Sequence, residues 1–341
     1  DAAQYAHLLA DFVEDGATAC AVEASSIGIE EARMAGGAID CAVFTNLTRD
    51  HLDYHQTMEA YAAAKAKLFA WEGLRAAVIN YDDAFGQTLF SNTTAQLVVG
   101  YGLSARPAAL AKGVAWVGAE SVQTTAQGMS ATLVFGDERL PFVTSIIGRH
   151  NLSNLLAVAA VLVAQGLAPA EIVVELAKLQ PPAGRMACLG GHNTPLVVVD
   201  YAHTPDALTN ILAALRDVTR ARSGKLVCVF GCGGDRDSGK RPEMGRAAAE
   251  GADVVCITSD NPRWEAAADI LQAIAVGAPE ARVIEDRALA IQQVIAEAAA
   301  EDVVLLAGKG HETEQEVRGQ RYPFDDAVHA QTALAAWAAN Q

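Results

Sequence analysis

The stretch Leu196-Val-Val-Val-Asp-Tyr-Ala-His-Thr-Pro-Asp206 carries the pattern on which the fold turns. Four apolar, mostly β-branched residues read as a buried strand, a polar cluster follows at once, and residues 206–218 then carry apolar residues at helical spacing. The cadence repeats downstream, with strands at 226–230, 254–258, 283–284 and 303–306 and helices between them, one near 242–250. Apolar runs at intervals of roughly 20 to 30 residues, separated by Ala-rich helices, predict a parallel sheet covered on both faces.

The C-terminal half therefore reads as a Rossmann-type α/β domain. The first half has another character. Residues 4–14 form an amphipathic helical pattern, 19–22 and 41–44 read as short buried strands, and 57–70 is Ala-rich and helical. Turn residues recur over 113–147 among short alternating runs such as Ala131-Thr-Leu-Val-Phe135, which predicts an antiparallel meander, and helices follow at 152–165 and 169–179. The run Gln180-Pro-Pro-Ala-Gly-Arg185 stops the last of these, because two prolines cannot continue a helix. The boundary is expected there: a mixed-sheet domain over 1–183 and a Rossmann-like domain over 184–341.

A length of 341 residues suits two domains, and 51% hydrophobic with 19% charged residues excludes a disordered chain or a coiled coil. The balance of 25 basic against 41 acidic residues, net −16, repels a phosphate backbone, so nucleic acid is not an expected partner. Local basic clusters should then serve small anions. The apolar runs fall short of the ~18 residues that span a bilayer. Six scattered cysteines without a C-x-x-C pair fit a reducing cytoplasm.

In an open parallel sheet, ligands bind beyond the carboxyl ends of the strands. Four strand ends carry polar clusters: Asp200-Tyr-Ala-His-Thr-Pro-Asp206, Gly231-Cys-Gly-Gly-Asp-Arg-Asp237, Ser259-Asp-Asn-Pro-Arg263 and Gly308-Lys-Gly-His-Glu312. Arg236, Arg263 and Lys309 are cations and Asp260 and Glu312 anions, a set that suits a zwitterion such as an amino acid. The alternative is that these charges pair with one another across the loops. The glycines at 231–234 match neither dinucleotide nor phosphate-loop spacing, and the Gly-Lys pairs at Gly224, Gly239 and Gly308 continue with Leu, Arg and Gly. In the first half, Asp50-His-Leu-Asp-Tyr-His55 puts His51 and His55 on one face if helical, which suits either a metal or a polar cap to the next helix. Glu23 follows a strand-like run, and Lys65 by itself reads as a solvated helix lysine.

Taken together and in order, Glu23-Ala-Ser-Ser26, Phe44-Thr-Asn-Leu-Thr-Arg-Asp-His-Leu-Asp-Tyr-His55, the Ala-Ala-Lys65 helix, Gly148-Arg-His-Asn-Leu-Ser-Asn154, Gly184-Arg-Met186, the 200–206 cluster, the Gly-Asp-Arg-Asp loop, Asp260-Asn-Pro-Arg263 and Gly308-Lys-Gly-His-Glu312 resemble the Mur ligases. These are ATP-dependent amide ligases of bacterial peptidoglycan synthesis, and the match is to the branch that adds meso-2,6-diaminopimelate to UDP-MurNAc-L-Ala-D-Glu. The resemblance implies a central ATPase domain and a C-terminal amino-acid-binding domain. It begins after the point where the family's N-terminal domain and Gly-x-x-Gly-Lys-Thr phosphate loop lie, so the resemblance implies an ATP-dependent ligase but leaves turnover by this polypeptide alone open.

It further implies that Lys65 is carbamylated (N6-carboxylysine) and, with Glu23 and His51, forms the catalytic group that holds Mg²⁺. Asn151, Asn154, Arg185, Asp200 and His203 would meet ATP. Ser25, Glu31 and Arg33 would meet the UDP-MurNAc-dipeptide, where Ile27 and Glu31 replace the His and Gln of some relatives. Arg236, Asp260, Asn261, Arg263, Gly308 and Glu312 would form the diaminopimelate pocket. Arg263 pairs there with the second carboxylate that lysine lacks, so that lysine is rejected. The implied enzyme is a cytoplasmic monomer that handles small-molecule substrates, without membrane or nucleic-acid partners. Other readings are a silent ligand-binding chain, a folylpolyglutamate synthetase, and a metallohydrolase built on His51, Asp53 and His55.

Overall fold

The computed structural model describes residues 1–48, 51–108, 110, 114–182 and 184–340, with Asp53 described by its backbone alone. Arg49 and Asp50 of the His-Asp cluster, Gly113 at the start of the meander and Ala183 at the expected boundary lie outside the described residues. The chain divides into two compact units. One comprises Asp1–Ser121, Ala131–Phe142 and Ser153–Leu176, the other Val122–Ser130, Val143–Leu152 and Ala177–Gln341.

The elements up to residue 178 are, in order, α1 (Ala2–Glu14), α2 (Ser26–Glu30), β1 (Cys41–Phe44), α3 (Leu52–His55), α4 (Met58–Ala66), β2 (Ala76–Asn80), α5 (Ala84–Asn92), β3 (Leu97–Gly102), β4 (Ala115–Thr125), β5 (Gly128–Phe135), β6 (Glu138–Thr144), α6 (Arg149–Ala164) and α7 (Pro169–Lys178). Their sheet runs β1-β2-β3-β4-β5-β6, with β1 to β4 parallel. The expected meander is β4 to β6, and it extends the parallel sheet rather than standing apart from it. Phe44, Phe69, Ile79 and Leu89 fill one core of this unit, and Phe44 meets the Phe69 and Phe85 rings edge-on. Thr57 caps α4 by accepting from Ala60 N.

Residues 19–22 do not form the expected strand. They run exposed and unpaired, because a strand is completed by a neighbour's hydrogen bonds and the sheet ends at β1. The sequence pattern also missed β2 and β3, both short apolar runs.

The remaining elements are β7 (Ala187–Gly190), β8 (Leu196–Asp200), α8 (Pro205–Arg222), β9 (Leu226–Phe230), α9 (Lys240–Gly251), β10 (Val254–Ile257), α10 (Ala267–Ala275), β11 (Arg282–Val283), α11 (Arg287–Glu297), β12 (Val303–Ala307), β13 (Glu314–Val317), β14 (Gln320–Pro323) and α12 (Asp326–Ala339). The sheet order is β11-β10-β9-β12-β8-β7, parallel except for β7 at one edge. One face packs Leu208, Leu212 and Leu215 of α8 and Met244 of α9, the other Ile291 and Ile295 of α11 and Trp337 of α12. This is the doubly covered sheet that the cadence predicts. Strands β10, β9, β12 and β8 are consecutive in the sheet and parallel, so all four polar clusters leave from one edge. Among the described residues no helix is long and apolar enough to cross a membrane.

Arg287 and Asp326, each the first residue of its helix, form a fully buried pair beneath that edge. Arg287 Nε and Nη2 donate to the two carboxylate oxygens at 2.7 Å each, and Nη2 also donates to Ala307 O at 3.0 Å. Removing one partner leaves an uncompensated buried charge. Asp326→Ala is expected to lower unfolding free energy by about 3–5 kcal/mol in urea denaturation, and the paired change Arg287→Met with Asp326→Leu to cost far less.

Candidate functional site

The loops after β9, β10 and β12 converge in the second unit, and the hairpin β13–β14 braces them. Asn261 Nδ2 donates to Glu312 Oε2 at 2.8 Å, while Asn261 Oδ1 accepts from Glu316 N at 2.9 Å. Arg263 has left-handed backbone (φ 51°). Its N–H donates to Glu316 O at 3.1 Å and its carbonyl accepts from Arg318 N at 2.6 Å. Its guanidinium donates from Nη1 to Gly234 O at 2.7 Å, with Nε 3.6 Å from the Glu316 carboxylate. Gly233 leaves room for this: a Cβ there would fall 2.9 Å from Arg263 Nη1 and 3.7 Å from Arg236 Cγ. Gly308 (φ 112°) lies against Asp260, whose Oδ2 a Cβ would meet at 2.7 Å. The structure thus brings Arg236, Asp260, Asn261, Arg263, Gly308 and Glu312 into one place.

Lys309 differs from its expected part as a cation offered to a ligand. It is fully buried and donates to Glu314 O at 2.7 Å and to Asn261 Oδ1 and Glu312 Oε2 at 3.2 Å each. A buried ammonium requires such acceptors, and its own chain supplies them. Arg241 is likewise turned inward. It pairs bidentately with Glu265 at 2.8 and 2.9 Å, and Glu265 accepts from Asp235 N at 2.6 Å, which fixes the loop presenting the exposed Arg236.

Tyr201 organises a second group in the same unit. Arg185 lies over its ring at 5.6 Å, and the rings of His203 and His311 stand 4.7 and 5.6 Å from it. Asp200 accepts from Met186 N and Ala202 N, both at 2.8 Å, so it ties the Gly-Arg-Met turn to the end of β8. Burial raises its carboxyl above the ordinary value, and those hydrogen bonds with the charges of Arg185 and His150 oppose the rise. Asn151 Nδ2 donates to Ile147 O at 2.9 Å and meets Met186 Sδ at 3.4 Å. Asn154 belongs to the first unit, exposed on α6.

In the first unit Lys65 and His51 share the Tyr61 ring, with Lys65 Nζ 5.1 Å and the His51 ring 5.9 Å from its centroid. The one helix face expected for His51 and His55 is not formed. His51 is the left-handed cap before α3, a single turn, while His55 is buried, stacks on Tyr61 at 5.3 Å and bonds Ser26 Oγ at 2.9 Å. Glu23 is exposed, and with Ser25 and Arg33 it lines a cleft of about 360 Å³ beside Tyr5 and Leu8 of α1. Ser25 Oγ caps α2 by accepting from Gly28 N at 3.0 Å. Arg33 is held by Glu31, its Nε donating at 2.8 Å.

Two family models match, "Mur ligase middle domain" over residues 1–162 and "Mur ligase, glutamate ligase domain" over residues 184–310. The UDP-N-acetylmuramoyl-L-alanyl-D-glutamate–2,6-diaminopimelate ligase of Ectopseudomonas mendocina is 50% identical over 97% of this chain. The chain spans 66% of that relative's length. A solved structure of a ligase of the same name is 39% identical with TM-score 0.74, over 98% of this chain and 68% of that one. The chain belongs to the Mur ligase family. The folylpolyglutamate synthase of Thermotoga maritima, at 16% identity and TM-score 0.57, shares the fold alone.

In this Mur ligase, sequence reasoning missed several residues that shape the site. Tyr201, His311 and His150 lie inside motifs that had been singled out, so adjacency was their available signal. Glu265, Arg241 and Glu316 lie in no motif and act through tertiary hydrogen bonds.

His150 supplies a pH test. The residue keeps an exposed side, but the chain packed around it withdraws enough water to hold its imidazole below the ordinary 6.5, and the nearby Asp200 charge offsets part of that. The unfolded chain then binds the proton more readily, so this contribution to stability is present above about pH 6.5 and is lost as pH falls through the depressed value. An NMR titration is expected to give a His150 midpoint below 6.5, and Asp200→Asn to move it lower still. An upward move would contradict the assigned charge contact.

Proposed function

We propose that the chain works in an ATP-dependent amide ligase joining meso-2,6-diaminopimelate to UDP-MurNAc-L-Ala-D-Glu for peptidoglycan, as a cytoplasmic monomer. The observation that carries this reading is the grouping of Arg236, Asn261, Arg263 and Glu312 on the loops after β9, β10 and β12, with Arg236 Cγ and Arg263 Nη1 both beside Gly233 and Asn261 bonded to Glu312. An amino acid with a distal carboxylate and ammonium meets there a planar fork and an acceptor. The name and 50% identity of the Ectopseudomonas mendocina relative support the same substrate.

In this reading, phosphoryl transfer from ATP activates the D-glutamyl γ-carboxylate as an acyl phosphate. The diaminopimelate amine then attacks the acyl carbon, expels phosphate and loses a proton to form the amide. Arg185, Asp200, His203, Asn151 and Asn154 serve ATP, with Arg185 the cation available to its phosphates. Ser25, Glu31 and Arg33 serve the dipeptide substrate, and the cleft shared by Ser25 and Arg33 supports that assignment. Lys65 and His51 share the Tyr61 ring, and together with Glu23 they would hold magnesium only with Lys65 carbamylated, since an ammonium donates hydrogen bonds and repels a cation, whereas a carbamate presents oxygens. Mg²⁺ held there would offset the repulsion between ATP and the carboxylate.

Calorimetric titration of the chain is expected to show binding of meso-diaminopimelate, binding of L-lysine weaker by about a hundredfold, and loss of that preference in Arg263→Ala. Equal affinity for both amino acids in the unsubstituted protein would sink the reading. In assays of phosphate release by the active enzyme, Lys65→Ala is expected to abolish turnover and added short carboxylates to restore part of it. Full activity without supplement would remove the carbamate from the proposal.

A further inference from the structure

We infer that Lys309 is a positioning residue of the amino-acid site, its buried ammonium fixing the orientation of Asn261 and Glu312 toward the incoming amino acid. The inference rests on the ligase reading and goes beyond it, because Lys309 itself meets no substrate.

Its placement is costly. A lysine at 0% exposure has lost its hydration, and its carboxylate partner Glu312 stays 34% exposed in its side chain, so the pair is only half withdrawn from water. An apolar side chain could line the same space, against the Phe324 ring 5.9 Å away, without the desolvation penalty of a buried charge. What the charge adds is direction. Asn261 Oδ1 receives two donors, Lys309 Nζ and Glu316 N, and a carbonyl oxygen is the amide end that can accept both. The amide is thereby fixed with Nδ2 toward Glu312 and with a second Nδ2 hydrogen still to place. Glu312 Oε2 takes both Asn261 Nδ2 and Lys309 Nζ, which leaves Oε1 to accept from an ammonium. The third bond, to Glu314 O, ties the arrangement to the strand whose Glu316 braces Arg263. One ammonium thus sets an amide donor, a carboxylate acceptor and the strand behind the guanidinium.

A double-mutant cycle read by calorimetry separates positioning from support of the fold. In the otherwise unchanged chain, Lys309→Met is expected to weaken meso-diaminopimelate binding by at least about tenfold. In a background carrying Asn261→Ala and Glu312→Ala, where the groups it orients are gone, the same substitution should change the residual affinity less than about twofold. Lys309→Gln, which keeps a donor without the charge, is expected to fall between, and it carries the cycle if the Met variant does not fold by circular dichroism. Binding within twofold of the unsubstituted chain, or an equal cost in both backgrounds, overturns the positioning role while leaving the ligase reading intact. Failure of the unsubstituted chain to bind diaminopimelate overturns the ligase reading and this inference with it.

Discussion

The second unit depends on a single arginine. Arg287 is fully buried, and its charge is met by a carboxylate from the start of another helix and by carbonyls at two strand ends: Ala307 O, the last residue of β12, at 3.0 Å and Ser259 O, just beyond β10, at 3.4 Å. A charge in that position is tolerated only when paired and hydrogen-bonded with good geometry. The requirement works in both directions. The guanidinium needs its acceptors, and those acceptors are the residues from which the Asp-Asn-Pro-Arg and Gly-Lys-Gly-His-Glu segments depart. Two of the loops that build the candidate amino-acid site are therefore registered against one rigid fork, in addition to the sheet beneath them.

Burial sorts the remaining cations by task. Arg241 and Lys309 are enclosed and their bonds run to their own chain, where they set loop conformation. Arg236 and Arg185 are exposed, and Arg263 is 23% exposed in its side chain with one carboxylate at 3.6 Å. In a chain of net charge −16 this division matters, because the average field repels anions and only locally presented guanidinium groups can gather them. Sequence reading grouped Lys309 with Arg236 and Arg263 because residue type shows charge and not the depth at which it lies.

The parallel sheet was legible because both of its faces are covered, so its central strands are apolar runs that stand out locally, as in Leu196-Val-Val-Val and Val303-Val-Leu-Leu. The helix after β8 was legible through its apolar spacing over 206–218, and the structure starts it at Pro205 with Thr204 as its cap. The failures have a common cause. Residues 19–22 have strand-like composition without a partner, and the β13–β14 hairpin, mostly polar and turning on Arg318-Gly319 rather than an Asn-Gly or Asp-Gly pair, has partners without strand-like composition. Pairing is a tertiary property, and local pattern reports burial instead. The candidate site was legible as residue types at strand ends. Which of them face inward was not, since that is decided by Glu265, Glu316 and Asp326, each distant in sequence from the residue it holds.

The two left-handed residues at the site, Asp235 (φ 52°) and Arg263 (φ 51°), connect stability to specificity. Each costs on the order of 1 kcal/mol or more relative to an ordinary backbone and persists only where its surroundings over-determine it. Those surroundings are visible: Glu265 accepts from Asp235 N, Asp235 Oδ2 accepts from Trp264 N at 3.1 Å, and the β13 strand brackets Arg263 on both sides. The two restraints meet, because Trp264 follows Arg263 directly. A guanidinium held this way loses little further entropy on pairing with a carboxylate, whereas a ligand without that carboxylate gains nothing from the fixed fork. In the proposed function, discrimination rests on backbone conformation set by these hydrogen bonds, with the arginine side chain as the part that displays it.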